Sequence, residues 1–208
     1  IAVPPYMSKD NLGLFLGIAS EIKLPVIAMV DSAVAATRRE YQNAVPVHID
    51  MSLHSASLTR LSQPDQSQIE RVELLDSCGI YELYDAWIKV IAEAFVQQSR
   101  FDPLHTAQTE QMLLNRLDDW LVAACSNKLV KLDLKYGNLH HVAEIESLEL
   151  IGAAAPIYQS IASKLRSLYR AEDTPAIQLS NRVASLPGLA ELLEARVGGE
   201  IFLLELGA

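Results

Sequence analysis

Residues 45–51, Val-Pro-Val-His-Ile-Asp-Met, alternate apolar and polar side chains. In an extended strand successive side chains point to opposite faces, so this stretch predicts a strand with one apolar face and with His48 and Asp50 on the other. The alternation returns over residues 55–61 and, more weakly, over residues 69–75. Because the three runs are consecutive and separated by short polar loops, they predict an antiparallel meander.

The segment before the meander predicts a helix, a strand and a second helix. Ser8 can cap the first helix, which ends by Pro25. Residues 26–30, Val-Ile-Ala-Met-Val, form a continuous apolar run, which is typical of a strand buried on both faces. An alanine-rich helix is expected over about residues 32–41. The predicted apolar face of the first helix comprises Leu12, Phe15, Leu16, Ala19 and Ile22.

The segment after the meander predicts helices, a hairpin and a final strand–helix–strand unit. Two long helices place Trp87 and Trp120 on their apolar faces, which indicates core positions. A β-hairpin that turns at residues 136–138 follows. We then expect a helix over residues 147–169 that Pro156 kinks, a strand over 176–179, a helix over 187–196 with Pro187 in its first turn, and a strand over 200–204.

Composition narrows the class of protein. The 208 residues carry a net charge of −9, and the 17 Lys and Arg residues are dispersed, so we expect no nucleic-acid partner. No apolar run reaches the ~20 residues that a membrane helix needs, so no membrane span is expected. Cys78 and Cys125 are not in a CxxC motif, and we interpret them as reduced thiols of a cytoplasmic protein. Because the chain begins at Ile1, within a strand-like stretch, we expect it to be a piece of a longer protein.

Four short motifs occur in a fixed order along these elements. Residues 2–6 are Ala-Val-Pro-Pro-Tyr, and residues 31–36 are Asp-Ser-Ala-Val-Ala-Ala. Residues 50–57 are Asp-Met-Ser-Leu-His-Ser-Ala-Ser. Residues 177–182 are Ile-Gln-Leu-Ser-Asn-Arg, and Leu-Pro-Gly-Leu follows at 186–189.

These motifs and the order of elements resemble the second lobe of the Hsp70, actin and sugar-kinase ATPases. The first motif is similar to the T-V-P-A-Y of Hsp70s, and the second lies where Hsp70s carry N-E-P-T-A-A. The third falls on the phosphate hairpin, D-L-G-G-G-T-F-D. The fourth is similar to the adenosine motif, L-V-G-G-S-T-R-I-P. The glycines of the last two motifs are missing here, which marks the chain as a degenerate member.

The resemblance implies an α/β fold, a ribonuclease H-like actin/Hsp70 lobe with a mixed central sheet flanked by helices and a smaller α+β insertion. Residues 1–76 and 147–208 would form the ribonuclease H-like subdomain, IIA. Residues 77–146 would form the inserted subdomain, IIB. The N-terminal lobe would lie outside this chain and would be its first partner, together with an unknown protein.

The resemblance also assigns candidate site residues. The phosphate hairpin implies Asp50, Ser52 and Ser55 as nucleotide-binding residues, with Asp50 holding a metal ion through a water molecule. The adenosine motif implies Asn181 and Arg182, which stand in place of two glycines. In the other interpretation, Asp50 and Ser55 only satisfy backbone groups at a hairpin turn.

Two functions follow from the resemblance. In the first, the protein binds or scaffolds other proteins, and its ATP use is weakened or lost. In the second, the chain is the nucleotide-binding lobe of an active Hsp70-like chaperone ATPase whose first lobe supplies the catalytic groups. ATP or ADP with Mg²⁺ would be the cofactor of the full-length parent, and we expect no cofactor in this fragment.

Overall fold

The computed structural model of the chain describes residues 1–205 and contains nine strands and seven helices there. The strands are β1 (Ala2–Val3), β2 (Val30–Asp31), β3 (Val45–Met51), β4 (Ser55–Ser62), β5 (Gln68–Asp76), β6 (Leu129–Tyr136), β7 (Leu139–Glu146), β8 (Pro175–Leu179) and β9 (Glu200–Leu203). The helices are α1 (Lys9–Glu21), α2 (Ser32–Ala36), α3 (Ile80–Ser99), α4 (Ala107–Ser126), α5 (Ser147–Leu168), α6 (Asn181–Ala184) and α7 (Leu189–Val197).

The central sheet is mixed and has the strand order β5-β4-β3-β8-β9. Strands β3, β4 and β5 pair antiparallel, so the predicted meander is confirmed. Strands β8 and β9 run parallel to β3, and helices connect and flank them. The predicted α/β class, with a mixed central sheet flanked by helices, is therefore confirmed.

One face of this sheet packs into the hydrophobic core. Val47, Ile49 and Met51 are at most 1% exposed, and Leu58 lies opposite Ile49 on β4. Trp87 is fully buried in the same core, where its indole Nε1–H donates to the carbonyl oxygen of Leu150 at 2.8 Å. Trp120 is 2% exposed, so the core positions predicted for both tryptophans are confirmed.

The opposite face of the sheet is polar, yet it is buried as well. His48 pairs in register with Thr59 on β4 and with Gln178 on β8, and none of the three is more than 4% exposed. The hydroxyl of Thr37, which follows α2, donates to the carbonyl oxygen of Ala33 at 2.7 Å and contacts the Gln178 amide at 3.0 Å. The residues after α2 therefore help to cover this polar row.

A single hydroxyl proton fixes the orientation of the Gln178 amide. Because Thr37 gives its proton to Ala33, it can only accept a hydrogen bond from Gln178, so the amide nitrogen faces Thr37. The amide oxygen then faces His48 and accepts from its Nδ1–H. With the amide turned the other way, His48 Nδ1 and Gln178 Nε2 would both be buried without a partner. We therefore assign a continuous hydrogen-bond chain from His48 through Gln178 to Thr37.

An ion pair closes the apolar face at its far end. Arg60 on β4 is 7% exposed and bonds Asp173 at 2.6 Å, Glu70 at 2.7 Å and the carbonyl oxygen of Leu168 at 2.7 Å. The hydrogen bond and charge of Arg60 lower the pKa of Asp173 below its ordinary value. This cluster ties the meander to the loop between α5 and β8.

The segment 77–146 contains α3, α4 and the β6–β7 hairpin, which is the α+β content predicted for it. Its core residues belong to the same hydrophobic cluster as the sheet. The division into subdomains at residues 76 and 147 stays a prediction, and residues 206–208 of the second predicted segment lie outside the described part of the chain.

The prediction of a buried strand at residues 26–30 is wrong. Only Val30 and the following Asp31 form a strand, which pairs in parallel with β1 in a separate two-stranded sheet. Ile27 is 100% exposed. The predicted apolar face of α1 is wrong as well, since Ala19 is its one buried residue. An apolar run shows what a segment can bury, but nothing among the described residues covers this one.

Two helix boundaries also differ from the prediction. Helix α2 ends at Ala36, because Thr37 turns its hydroxyl back to Ala33 and the chain leaves the helical conformation there. Pro187 precedes α7 rather than lying in its first turn, and its carbonyl oxygen accepts from the Tyr158 hydroxyl at 3.1 Å. Gly188 makes this entry possible, because its φ of 76° lies in the left-handed region and a Cβ there would be 2.9 Å from the Ile151 side chain.

Within residues 1–205, no helix is both long enough and apolar enough to span a membrane.

Candidate functional site

The predicted site residues meet at one edge of the central sheet. Strands β3 and β8 are parallel neighbours, with Ile49 opposite Leu179, so the residues that follow them emerge side by side. The Ser180 hydroxyl donates to Asp50 Oδ1 at 2.6 Å, and the Ser180 N–H donates to the Ile49 carbonyl oxygen at 3.0 Å. The carboxyl ends of parallel strands are where open α/β sheets bind ligands. The two motifs are therefore brought together at the edge where a ligand would be expected.

The turn between β3 and β4 is closed by its own serines. The two hydroxyl groups of Ser52 and Ser55 are 2.8 Å apart, and the Ser52 hydroxyl also lies 3.1 Å from the Ser55 carbonyl oxygen. The Ser55 N–H donates to Ser52 Oγ at 3.2 Å, and the Ser52 N–H donates to the Ser55 carbonyl oxygen at 2.8 Å. These bonds match the interpretation in which the side chains serve the turn itself.

The amino terminus of α3 packs directly on this turn. The N–H groups of Ile80 and Tyr81 donate to the carbonyl oxygens of Ser52 at 3.0 Å and Leu53 at 2.9 Å. Gly79 permits this approach, because a Cβ at that position would lie 2.4 Å from the Leu53 carbonyl oxygen. A phosphate-binding hairpin presents free N–H groups to its ligand. Here the first N–H groups of α3 are used to hold the turn.

The side chain of Arg182 links the two motifs. It begins in α6, and its Nη1 donates to the Met51 carbonyl oxygen at the end of β3 at 2.5 Å. Both Arg182 and the neighbouring Asn181 are exposed. Where the adenosine motif has glycine, the guanidinium thus crosses the space between β8 and β3.

A cavity of about 360 Å³ opens beside Arg182, between α3, α4 and α6. The Tyr84 hydroxyl donates to Asp118 Oδ1 at 2.5 Å on its wall. Burial, reinforced by the charge and hydrogen bond of Asp118, raises the pKa of Tyr84 to about 12, so its phenol stays protonated at neutral pH. Leu121 and Leu186 supply apolar lining.

Sequence reasoning missed Tyr84, Asp118 and Ser180 as members of this region. Tyr84 fell on the apolar side of a predicted helix, and Asp118 resembles any surface carboxylate. Their partnership joins two helices and left no local signal. Ser180 could have been found, since it follows β8 directly, as Asp50 lies at the end of β3.

The donors at this edge do not match a magnesium–nucleotide site. Asp50 supplies one carboxylate, which accepts from Ser180, and the two candidate hydroxyls bond to each other. Within residues 1–205, no three His, Cys, Asp or Glu side chains are grouped so that they could hold a metal ion. The arrangement therefore offers a polar cleft rather than a phosphate cradle.

No protein-family model matches the chain, and no curated protein matches it with significant similarity.

Proposed function

We propose that this chain is the second lobe, subdomains IIA and IIB, of a degenerate Hsp70/actin-like protein that binds or scaffolds other proteins, with ATP use weakened or lost. One observation carries the proposal: the edge where nucleotide would bind is filled by the protein's own hydrogen bonds. Arg182 bonds Met51, Ser52 bonds Ser55, and Ser180 bonds Asp50.

The sheet supports the assignment to a ribonuclease H-like lobe. A three-stranded antiparallel meander is extended, from its first strand, by two parallel strands that follow helices. The α+β segment 77–146 enters between the meander and β8, as the resemblance implies for an insertion. Both features fit the proposed fold, and neither is specific to it.

The first partner in this proposal is the N-terminal lobe of the same protein. The first thirty residues expose many large apolar side chains, far more than a solvated surface segment needs. Burying them against another protein body would stabilise the complex by the hydrophobic effect. They are Ile1, Leu14, Leu16, Ile18, Ile22, Leu24, Ile27 and Val30.

The compartment and the excluded partner are also part of the proposal. Cys78 and Cys125 are free thiols, which suits a reducing compartment, so we place the protein in the cytoplasm. The net charge of −9 opposes binding to a nucleic-acid backbone. The second partner is another protein, whose identity these residues do not specify.

The alternative is the nucleotide-binding lobe of an active Hsp70-like chaperone ATPase. The cavity beside Arg182 favours it, because that space lies next to the adenosine-like motif and combines apolar walls with the polar Tyr84–Asp118 pair. In this case the first lobe would supply the groups that bind phosphate and magnesium. ATP and Mg²⁺ would then be the cofactors of the parent.

Isothermal titration of the full-length parent with ATP and Mg²⁺ separates the two functions. The proposed binding protein gives no saturable heat, whereas a clear micromolar affinity would overturn the proposal and favour the ATPase. The Arg182→Gly variant of the parent sharpens the result, because it removes the side chain that crosses to Met51. ATP binding gained only in that variant supports closure of the site by Arg182.

The partner surface has its own test. Leu14 and Ile18 are 66% and 54% exposed, so Leu14→Asp/Ile18→Asp leaves the fold of this chain intact and should abolish its association with a separately produced N-terminal lobe. Ultracentrifugation of the mixture measures the association. Unchanged association of the double variant rules out this surface.

A further inference from the structure

The outer side of α5 and α7 carries a pair of arginines that the proposed function does not use. Arg166 and Arg196 line one cavity of about 320 Å³ together with Gln159, Ala162 and Ser163. Arg166 lies in the last turn of α5, and Arg196 lies in the last turn of α7. The lining includes two guanidinium groups, an amide and a hydroxyl, and it includes no carboxylate.

The absence of carboxylate partners distinguishes these two arginines from others in the chain. Arg60, Arg71 and Arg116 each pair with at least one Asp or Glu. Within the described residues, the guanidinium groups of Arg166 and Arg196 have neither an ion pair nor a hydrogen bond. Two like charges that share a cavity repel each other, and an anion placed between them removes that repulsion.

We propose that this cavity is an oxyanion site whose ligand is a phosphate group. Guanidinium groups present planar forks of N–H donors that match phosphate oxygens, and two of them can hold one doubly charged anion. The Ser163 hydroxyl and the Gln159 amide lie on the same wall and can supply further donors. The ligand is either a free phosphate or a phosphorylated side chain of a partner, since both present the same group.

The two arginines could instead serve only the fold, because a cation in the last turn of a helix favours the negative end of the helix dipole. That role needs no ligand, and it predicts no saturable response to an anion. The net charge of −9 works against anion binding at long range, so the affinity is expected in the low-millimolar range at low ionic strength.

The test is a titration of the 208-residue chain with inorganic phosphate, followed through the arginine Nε–Hε signals by heteronuclear NMR. The signals of Arg166 and Arg196 should shift in a saturable way, and sodium chloride at equal ionic strength should not reproduce the shift. A linear response, or one that chloride matches, overturns the proposal.

Two variants of equal charge change make the test specific to this cavity. Arg166→Gln/Arg196→Gln should weaken phosphate binding by about tenfold or more, which corresponds to about 1.4 kcal/mol. Lys131→Gln/Lys135→Gln, on the exposed hairpin, also removes two positive charges and should bind phosphate as the unmodified chain does. Equal losses in the two variants would show a general charge effect and overturn the site. Urea denaturation checks that both variants remain folded.

Two further ligands identify the source. Tighter binding of O-phosphoserine than of inorganic phosphate assigns the site to a phosphorylated partner, and the reverse assigns it to a free anion. Succinate, which carries two carboxylates, should bind more weakly than either. Succinate binding as tight as phosphate binding contradicts the assignment to phosphate.

Discussion

The two faces of β3 are equally buried and chemically opposite. On one face Ile49 contributes to a continuous apolar core, and on the other His48 lies in a polar row with Thr59 and Gln178. Alternation in the sequence distinguishes the faces correctly, but it implies a solvated polar face. Burial of the polar face changes what holds it together, because each of its groups needs a hydrogen-bond partner. The two faces should therefore fail in different ways when they are mutated.

The largest effect is expected on the apolar face, from Ile49→Ala. The side chain is 0% exposed, so the substitution removes buried methyl and methylene groups and leaves a cavity, at a cost of about 3 kcal/mol. Urea denaturation of the chain measures the loss. The matched control is Ile27→Ala at a fully exposed position, which should change the unfolding free energy by less than about 0.5 kcal/mol. Similar costs at the two positions would mean that the N-terminal segment is covered.

A smaller loss is expected on the polar face, from Gln178→Leu. Leucine keeps most of the volume but removes the acceptor of His48 and the donor to Thr37, so a buried polar group loses its partner at a cost of about 2 kcal/mol. Gln66→Leu, in the exposed β4–β5 loop, is the control and should be nearly neutral. A neutral Gln178→Leu would contradict the hydrogen-bond chain assigned to this face.

The part of the fold that could be predicted is the part in which local pattern and tertiary contact agree. The meander was predictable because its period of two appears in three consecutive runs. The pairing of β3 with β8 carried no local signal and depended on the resemblance. Residues 26–30 misled because apolar composition is the same whether a strand is covered by this chain or by another body.

The site shows the same limit. The positions of Asp50, Asn181 and Arg182 at one edge followed from the parallel strands that they end or follow. What their side chains do there did not follow. The contact of Arg182 with Met51 and the bonds between Ser52 and Ser55 depend on distances between elements, which the order of residues does not give.

A pH dependence of stability is expected from His48. Burial lowers its pKa below the ordinary value of 6.5, and the nearby charge of Asp50 opposes this shift only in part. The folded protein therefore binds the His48 proton more weakly than the unfolded chain does, and stability is lost as pH falls below about 6.5. By about pH 5.5 this contribution cannot exceed about 1.4 kcal/mol.

The measurement for His48 is the unfolding free energy at about pH 7.5 and about pH 5.5, for the chain and for His48→Gln. The difference between the two pH values should be smaller in the variant, because glutamine does not titrate. Taking the difference between the two proteins cancels the exposed histidines, which are present in both. An equal pH dependence would show that His48 is not buried in its neutral form.

The smallest effect, and the one of opposite sign, is expected from Thr59→Val. The Thr59 hydroxyl is fully buried and has no hydrogen-bond partner within the described residues, and valine has nearly the same shape. The substitution removes an unsatisfied group without leaving a cavity, so it should raise the unfolding free energy by up to about 1 kcal/mol. Thr37→Val is the matched control, because that hydroxyl bonds Ala33 and Gln178 and its loss should destabilise the protein. If Thr59→Val destabilised the protein as much as Thr37→Val, Thr59 would have a partner, and the whole polar face would be held by hydrogen bonds without exception.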